Sequence, residues 1–355
     1  MKLFKSLLVA PATLGLLAPM SATANEVTIS DFSPAEELAV TNSRVDGLEA
    51  RMNNFEAGGF SETTTASFSL DTVIGAVEGA DDAESEALSF DYQMNIGLST
   101  SFTGEDSLDV TIDIGGTDAS ATKASSIMGF QATTDALVVD GITYTFPFGG
   151  ATVVVGDTTD ISSTFTGACA YSAFTDYMGN CGTGSTVGAG GNGATAAISY
   201  AFDSGFSLAG GVSSTPESIL TEEGTDTFGI EAAYTADSYG VAVAYSDAEG
   251  TTGWGINGMY AFDFATLSAG FETVDSGSSA EGFFVGLSFA EVGPGTLDIG
   301  MGTTGNFKDS DPEYYIYEAS YAYPLNDGMT ITPGVYIVEG ATDVTGVAVK
   351  TSFSF

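Results

Sequence analysis

The side chains able to do chemistry in this 355-residue chain are almost all carboxylates: 47 Asp and Glu stand against 7 Lys and Arg, with no histidine and two cysteines. The missing imidazole removes Ser-His triads, His-based zinc sites and the usual general base, and two thiols cannot build a multi-Cys metal centre. Paired carboxylates of the kind that hydrolyse glycosides arise by composition alone in so acidic a chain and single out nothing. No enzymatic activity is expected. The formal charge of −40 argues against nucleic acid as a partner. It attracts cations, and it equally suits exposed loops in a salty medium. Two clusters, Asp81-Asp82-Ala83-Glu84-Ser85-Glu86 and Asp309-Ser310-Asp311-Pro312-Glu313, offer oxygen ligands for loosely bound Ca2+ or Mg2+. Neither has the spacing of a calcium loop, so both read as solvated loop tips and no cofactor is expected.

The two thiols, Cys169 and Cys181, lie twelve positions apart in a Gly/Ser/Thr-rich stretch that also carries Asp157, Asp160, Tyr171, Asp176 and Tyr177. Their redox state follows from the N-terminus. Lys2 and Lys5 precede an apolar run from Leu7 to Leu17 and then Ala22-Thr23-Ala24, the layout of a signal peptide over 1–24. Export puts the thiols in an oxidising compartment, which predicts a Cys169–Cys181 disulfide. The leader is too short to span a bilayer, and no run of about 20 apolar residues follows it. The exported product is then either soluble or spans a membrane as strands.

Residues 25–59 form the next unit, a polar linker followed by a short periplasmic helix. Leu38, Val45 and Met52 fall seven apart, with Leu48 and Phe55 three after two of them, giving a short coiled-coil seam over 35–56 weakened by Thr41 and Gly47. Such a helix either joins partner copies or packs on its own chain. After Gly58-Gly59 the helical period ends, and 60–355 alternates with period two.

This third unit reads as all-β, an antiparallel up-and-down transmembrane barrel of about 16 strands. The 46 Gly, 24 Phe and 15 Tyr suit strands and tight turns, and mean hydropathy is only +0.18, as two-faced strands produce. Tyr200, Tyr234, Tyr260, Phe289, Tyr321 and Phe355 recur every 26–34 residues just before short turns or the end of the chain. Each interval holds two strands, one tight turn and one longer loop. Within strands, Ile198, Tyr200 and Phe202 share one face and Thr195, Ala197 and Ser199 the other. In the last strand Val347, Val349, Phe353 and Phe355 face lipid, whereas Gly346, Ala348, Lys350, Ser352 and Ser354 face inward. A small, polar inner face implies a water-filled lumen. Expected strands include 150–157, 194–202, 295–303 and 344–355, with long external segments such as 116–135, 158–193 and 247–251.

Taken together, the leader to Ala24, the Ser43-Arg44-Val45-Asp46-Gly47-Leu48-Glu49-Ala50-Arg51 heptad segment, Phe60-Ser61-Glu62-Thr63-Thr64, the Cys169–Cys181 loop and terminal Phe355 resemble cyanobacterial outer-membrane porins related to the carbohydrate-selective porins. The usual surface-layer-homology domain is absent, since only Asn25–Pro34 occupies its place, so peptidoglycan binding is not implied. The resemblance implies an outer-membrane homotrimer passing small hydrophilic solutes and inorganic ions. Despite the family name, general or ion-permeable channels fit its cyanobacterial members. It also implies that barrel assembly machinery reads the Phe353 and Phe355 strand. The third external loop would narrow the lumen with Asp157, Asp160, Tyr171, Asp176 and Tyr177. Its carboxylates, facing Lys350 or few bases at all, would favour cations. Two other readings stand beside this one: a loop stapled only against proteases, and a loop-plugged barrel with a structural, adhesive or phage-receptor role.

Overall fold

A computed structural model describes residues 64–79, 87–116, 123–184, 193–215, 219, 221, 224–308 and 311–355. The leader, the linker, the 35–56 helix and the 81–86 cluster lie outside the described residues. Period-two alternation becomes sixteen strands: β1 Thr64–Glu78, β2 Ser89–Thr100, β3 Ser107–Gly115, β4 Val138–Phe148, β5 Ala151–Thr159, β6 Gly193–Ala201, β7 Phe206–Thr215 and β8 Thr225–Thr235. They continue as β9 Tyr239–Ala248, β10 Thr251–Ala261, β11 Thr266–Asp275, β12 Ser279–Val292, β13 Gly295–Thr303, β14 Tyr315–Asn326, β15 Met329–Val338 and β16 Val344–Ser354. Each pairs antiparallel with its chain neighbours, and β1 pairs with β16 to close the ring. Closure satisfies every edge, which a strand crossing hydrocarbon requires. Past the last ladder pair, Phe68 and Phe355 exchange backbone hydrogen bonds of 2.9 and 3.0 Å and stack their rings at 5.7 Å.

The alternation sorts by polarity around the ring. Ile198 is 47 % exposed and Val347 57 %, whereas the adjacent Ala197 and Ala348 are buried. Ile230, Val243, Ile256, Ile299 and Val335 continue this outer apolar surface. An apolar surface running round the ring has no stable place in water and suits the hydrocarbon of a membrane. Among the described residues no helix is long and apolar enough to cross a membrane; the strands do the crossing.

The end that carries the short turns is ringed by aromatics. Tyr200 meets Phe202 at 4.6 Å, Phe206 meets Tyr234 at 4.6 Å and Tyr260 meets Phe262 at 4.7 Å. Rings at this level anchor a barrel at the interface, on the periplasmic side where turns are short.

At the β2–β3 turn, Asp106 ties this rim together. Its Oδ2 accepts from Tyr144 Oη at 2.7 Å, and its Oδ1 accepts from the Phe102 and Thr103 N–H groups and from the Ser101 and Thr103 hydroxyls. The Tyr144 hydroxyl first, then the Thr103 amide, hold this carboxyl well below its usual range. A lowered folded-state pKa gives stability that is complete above the unfolded value, about 3.9, and is lost as pH falls through the folded one. Asp106→Asn is therefore expected to lower the urea midpoint at pH 7, with the gap to wild type narrowing below about pH 4. Urea titrations at both pH values check this, and a pH-independent gap would contradict it.

Candidate pore interior

The chain between β5 and β6 runs into the barrel and across its inner wall. After a 3-10 turn over Ile161–Thr164, the Thr166 and Gly167 N–H groups donate to Glu231 of β8 at 2.6 and 3.2 Å. Ala168 N–H donates to Asn257 Oδ1 of β10 at 2.8 Å and Ala170 N–H to Ser268 Oγ of β11 at 3.3 Å. Glu318 of β14 then accepts from four donors: Tyr171 Oη at 3.0 Å, the Phe174 and Thr175 amides at 2.8 Å each, and Thr175 Oγ1 at 2.6 Å. Asp176–Gly182, a 3-10 turn broken at Gly179 with Asn180 and Cys181 at positive φ, turns the chain back. Thr183 Oγ1 accepts from Asn257 Nδ2 at 3.1 Å, so one amide grips both arms. Burying a carboxylate as deeply as Glu231 (4 % exposed) or Glu318 (3 %) is tolerable only with several donors aimed at it.

The predicted disulfide is present. Cys169 and Cys181, 5.7 Å apart at Cα, join the outgoing and returning arms at the neck held by Asn257. A cross-link there restricts the loop before it docks. The wall makes room for it: a Cβ at Gly270 of β11 would stand 2.0 Å from the Cys181 carbonyl oxygen, and one at Gly334 of β15 would stand 2.6 Å from the Phe174 ring. Glycine lets the loop backbone lie directly on the strands.

A second loop also turns inward, against the expectation that 116–135 is wholly external. In the described part of the β3–β4 connection, Ala124 accepts from Tyr336 Oη at 3.2 Å, and Ser125 Oγ donates to Asp91 at 2.8 Å. Gln131 N–H donates to Gln93 Oε1 at 3.1 Å, and the two loops meet where Asp176 N–H donates to Ile127 O at 2.7 Å. Over this sector the inner wall is apolar. Val73, Val77, Tyr336 and Ala348 pack with Ala124 and Phe174, and Phe284 and Ile316 pack with Tyr171 and Met178. The expected small, polar inner face holds from β6 to β10, at Thr195, Ala197, Ser213, Ala242 and Ser246. It fails over β1, β12 and β14–β16, where Ala124, Phe174, Tyr171 and Met178 of the loops pack on the wall and make it a core.

Between the returning arm and β11–β13 lies a polar cleft of about 220 Å³ lined by Asp176, Tyr177, Glu272, Thr303 and Asn306. Asn306 Nδ2 donates to Glu272 at 2.8 Å. From Phe60 onward the only basic residues are Lys123, Lys308 and Lys350. Lys123 lies 3.9 Å from Asp91. Lys350 stands on the inner face, in register with Val73 and Thr332, and among the described residues it forms no ion pair. No group of three or more acidic side chains converges on a metal position among the described residues.

The sequence-predicted positions separate on this wall. Tyr171 is buried on Glu318, while Asp176 and Tyr177 face the cleft. Asp160 precedes the first 3-10 turn and accepts from Ser162 Oγ. Asp157 belongs to the wall and not to the loop: it lies within β5, exposed, opposite outward-facing Ile142. Phe355 projects at the periplasmic rim, 75 % exposed, with Phe353 opposite Leu70 and Met329. Sequence pattern passes over Glu231, Glu272, Asp298 and Glu318. Their one signal is a lone carboxylate on the small-residue face of a strand, as in Gly229-Ile230-Glu231-Ala232-Ala233.

The same architecture recurs among solved structures. OprB of Pseudomonas putida superposes with a TM-score of 0.67 at 11 % identity, covering 84 % of this chain and 97 % of that one. A loop-deletion mutant of OmpT, an outer membrane protein of Vibrio cholerae, gives 0.58 at 9 % identity over 83 % of this chain and all of that one. A mutant of the Rhodobacter blastica porin gives 0.54 at 17 % over 82 % and 100 %. The chain has the fold of the outer-membrane porins. No family model matches the chain. An uncharacterized protein of Nostoc sp. is 31 % identical over 163 residues, which cover 41 % of this chain and 27 % of that protein; the match thus spans about a quarter of its length.

Proposed function

We propose that the barrel is a passive diffusion channel for small hydrophilic solutes and inorganic ions that prefers cations. It belongs in this reading to the porins related to the carbohydrate-selective family, works as a homotrimer, and is inserted by barrel assembly machinery that reads the strand ending at Phe355. The observation that carries the reading is the closed ring itself, apolar outside, with a lumen-side cleft between Asp176 and Glu272 and three basic residues in the whole barrel. Fixed carboxylates beside a narrow aqueous path raise the local cation concentration and repel anions.

The test is the reversal potential in planar bilayers under a salt gradient. Asp176→Asn combined with Glu272→Gln is expected to reduce the cation-to-anion permeability ratio, while Asp157→Asn, on the outer face, leaves it unchanged. Unaltered selectivity in the double variant would reject the assignment. Liposome swelling with sugars of graded size then separates carbohydrate permeation from ion permeation.

The apolar clusters under the two loops favour a second reading, a barrel plugged as a structural, adhesive or phage-binding protein. Single-channel recording separates the two: discrete conductance steps support the pore, and their absence in correctly folded protein supports the plug.

A further inference from the structure

Asp113 is a buried carboxylate left half satisfied. It lies on the inner face of β3, 1 % exposed, and its Oδ2 has no hydrogen-bond partner. Its Oδ1 accepts from Asn95 Nδ2 of β2. Among the described residues no other buried side-chain oxygen or nitrogen lacks a partner. An uncompensated carboxylate oxygen in such a place calls for a bound positive charge or a proton.

The surroundings point to the charge. Thr111 pairs with Gly141 and Ile112 with Val139, so Asp140 is the extra residue of a bulge in β4. A bulge re-aims the side chain of its extra residue, and Asp140 lies two residues along β4 from Val138, the register partner of Asp113. Because Asn95 takes Oδ1 from the β2 side, Oδ2 is left toward β4, the side of Asp140. Among the described residues no basic side chain supplies balance: Lys123 is drawn to Asp91, Lys308 follows β13, and Lys350 is on β16. The β3–β4 loop covers the spot, with Gly115 N–H donating to Thr133 Oγ1 at 2.9 Å and Gln131 N–H tied to Gln93, two residues along β2 from Asn95.

We propose that a hard divalent cation of the calcium class binds here. Asp113 Oδ2 and the Asp140 carboxylate are its charged ligands and water completes the shell, the all-oxygen coordination such ions take. The site is separate from the Asp176–Glu272 cleft and does not depend on the barrel conducting.

The probe is Ca2+, titrated calorimetrically into the full-length, EDTA-stripped protein folded in detergent, at about 0.15 M NaCl so that diffuse binding to the acidic surface is screened. One saturable site is expected, weakened at least about tenfold by Asp113→Asn and by Asp140→Asn, with Ca2+ raising the melting temperature of wild type and not of either variant. Heat-modifiable mobility on gels confirms that each variant is folded. The absence of a saturable site, or wild-type affinity in both variants, would overturn the proposal. So would an Asp113→Asn protein more stable than wild type with no response to Ca2+, because the two carboxylates would then share a proton. Conductance recorded on the same preparation keeps a failed cation site distinct from a failed channel.

Discussion

Glu318→Ala should release the β5–β6 loop from the wall, giving larger and noisier single-channel conductance and rapid proteolysis between residues 160 and 184. Glu318 gathers the Tyr171 and Thr175 hydroxyls and the amides of Phe174 and Thr175 on one carboxylate. Truncating it strands four buried donors. Each costs about 1–3 kcal/mol when left unmade, and water entering the gap recovers part of that, so the docked loop should lose about 4 kcal/mol. Glu231→Ala frees only the Thr166 and Gly167 amides and should do less. Trypsin has nothing to cut here, as 160–184 holds no Lys or Arg; chymotrypsin cleavage of folded protein at Phe174 or Tyr177 is the check. Wild-type conductance together with an intact loop in Glu318→Ala would mean that the carboxylate is not its anchor.

Gly270→Val attacks the same dock through shape. The new Cβ would lie 2.0 Å from the Cys181 carbonyl oxygen and 3.0 Å from Thr183 Cγ2. The disulfide denies the backbone at Cys181 an easy retreat, so the strain falls on the neck of the loop. Overpacking of this kind costs about 3 kcal/mol, and the returning arm should lift away with loss of the Asn257–Thr183 bond. The matched control is Ala269→Val on the outward face of the same strand, which only adds apolar surface toward lipid. Melting temperature and chymotrypsin sensitivity should fall out of line in Gly270→Val alone.

The strands were readable from the residues because a membrane barrel writes its two faces into every segment. The expected 194–202 is observed as Gly193–Ala201, 295–303 as Gly295–Thr303 and 344–355 as Val344–Ser354. The aromatic rim fixed the periplasmic ends of the strands, while the opposite ends had no such marker. That is why the external segment expected over 247–251 shrinks to residues 249–250 and why the strand expected over 150–157 runs on to Thr159. The disulfide was legible from spacing and compartment. The second inward loop was not, because nothing near Ala124 or Ile127 announces a seat on Tyr336 more than two hundred residues away. Likewise Glu318 looks like any inward polar residue until Thr175 is placed against it.

Glu231, Asn257 and Ser268 grip main-chain amides of the loop, so the identities of residues 166, 168 and 170 matter little to the hold, whereas Gly167 is fixed by its positive φ of 62°. Substitutions at those three places can retune what a passing molecule meets without unseating the segment, with proline, which has no amide hydrogen, the exception. The barrel thus separates the fastening of its inner segment from the chemistry that segment displays.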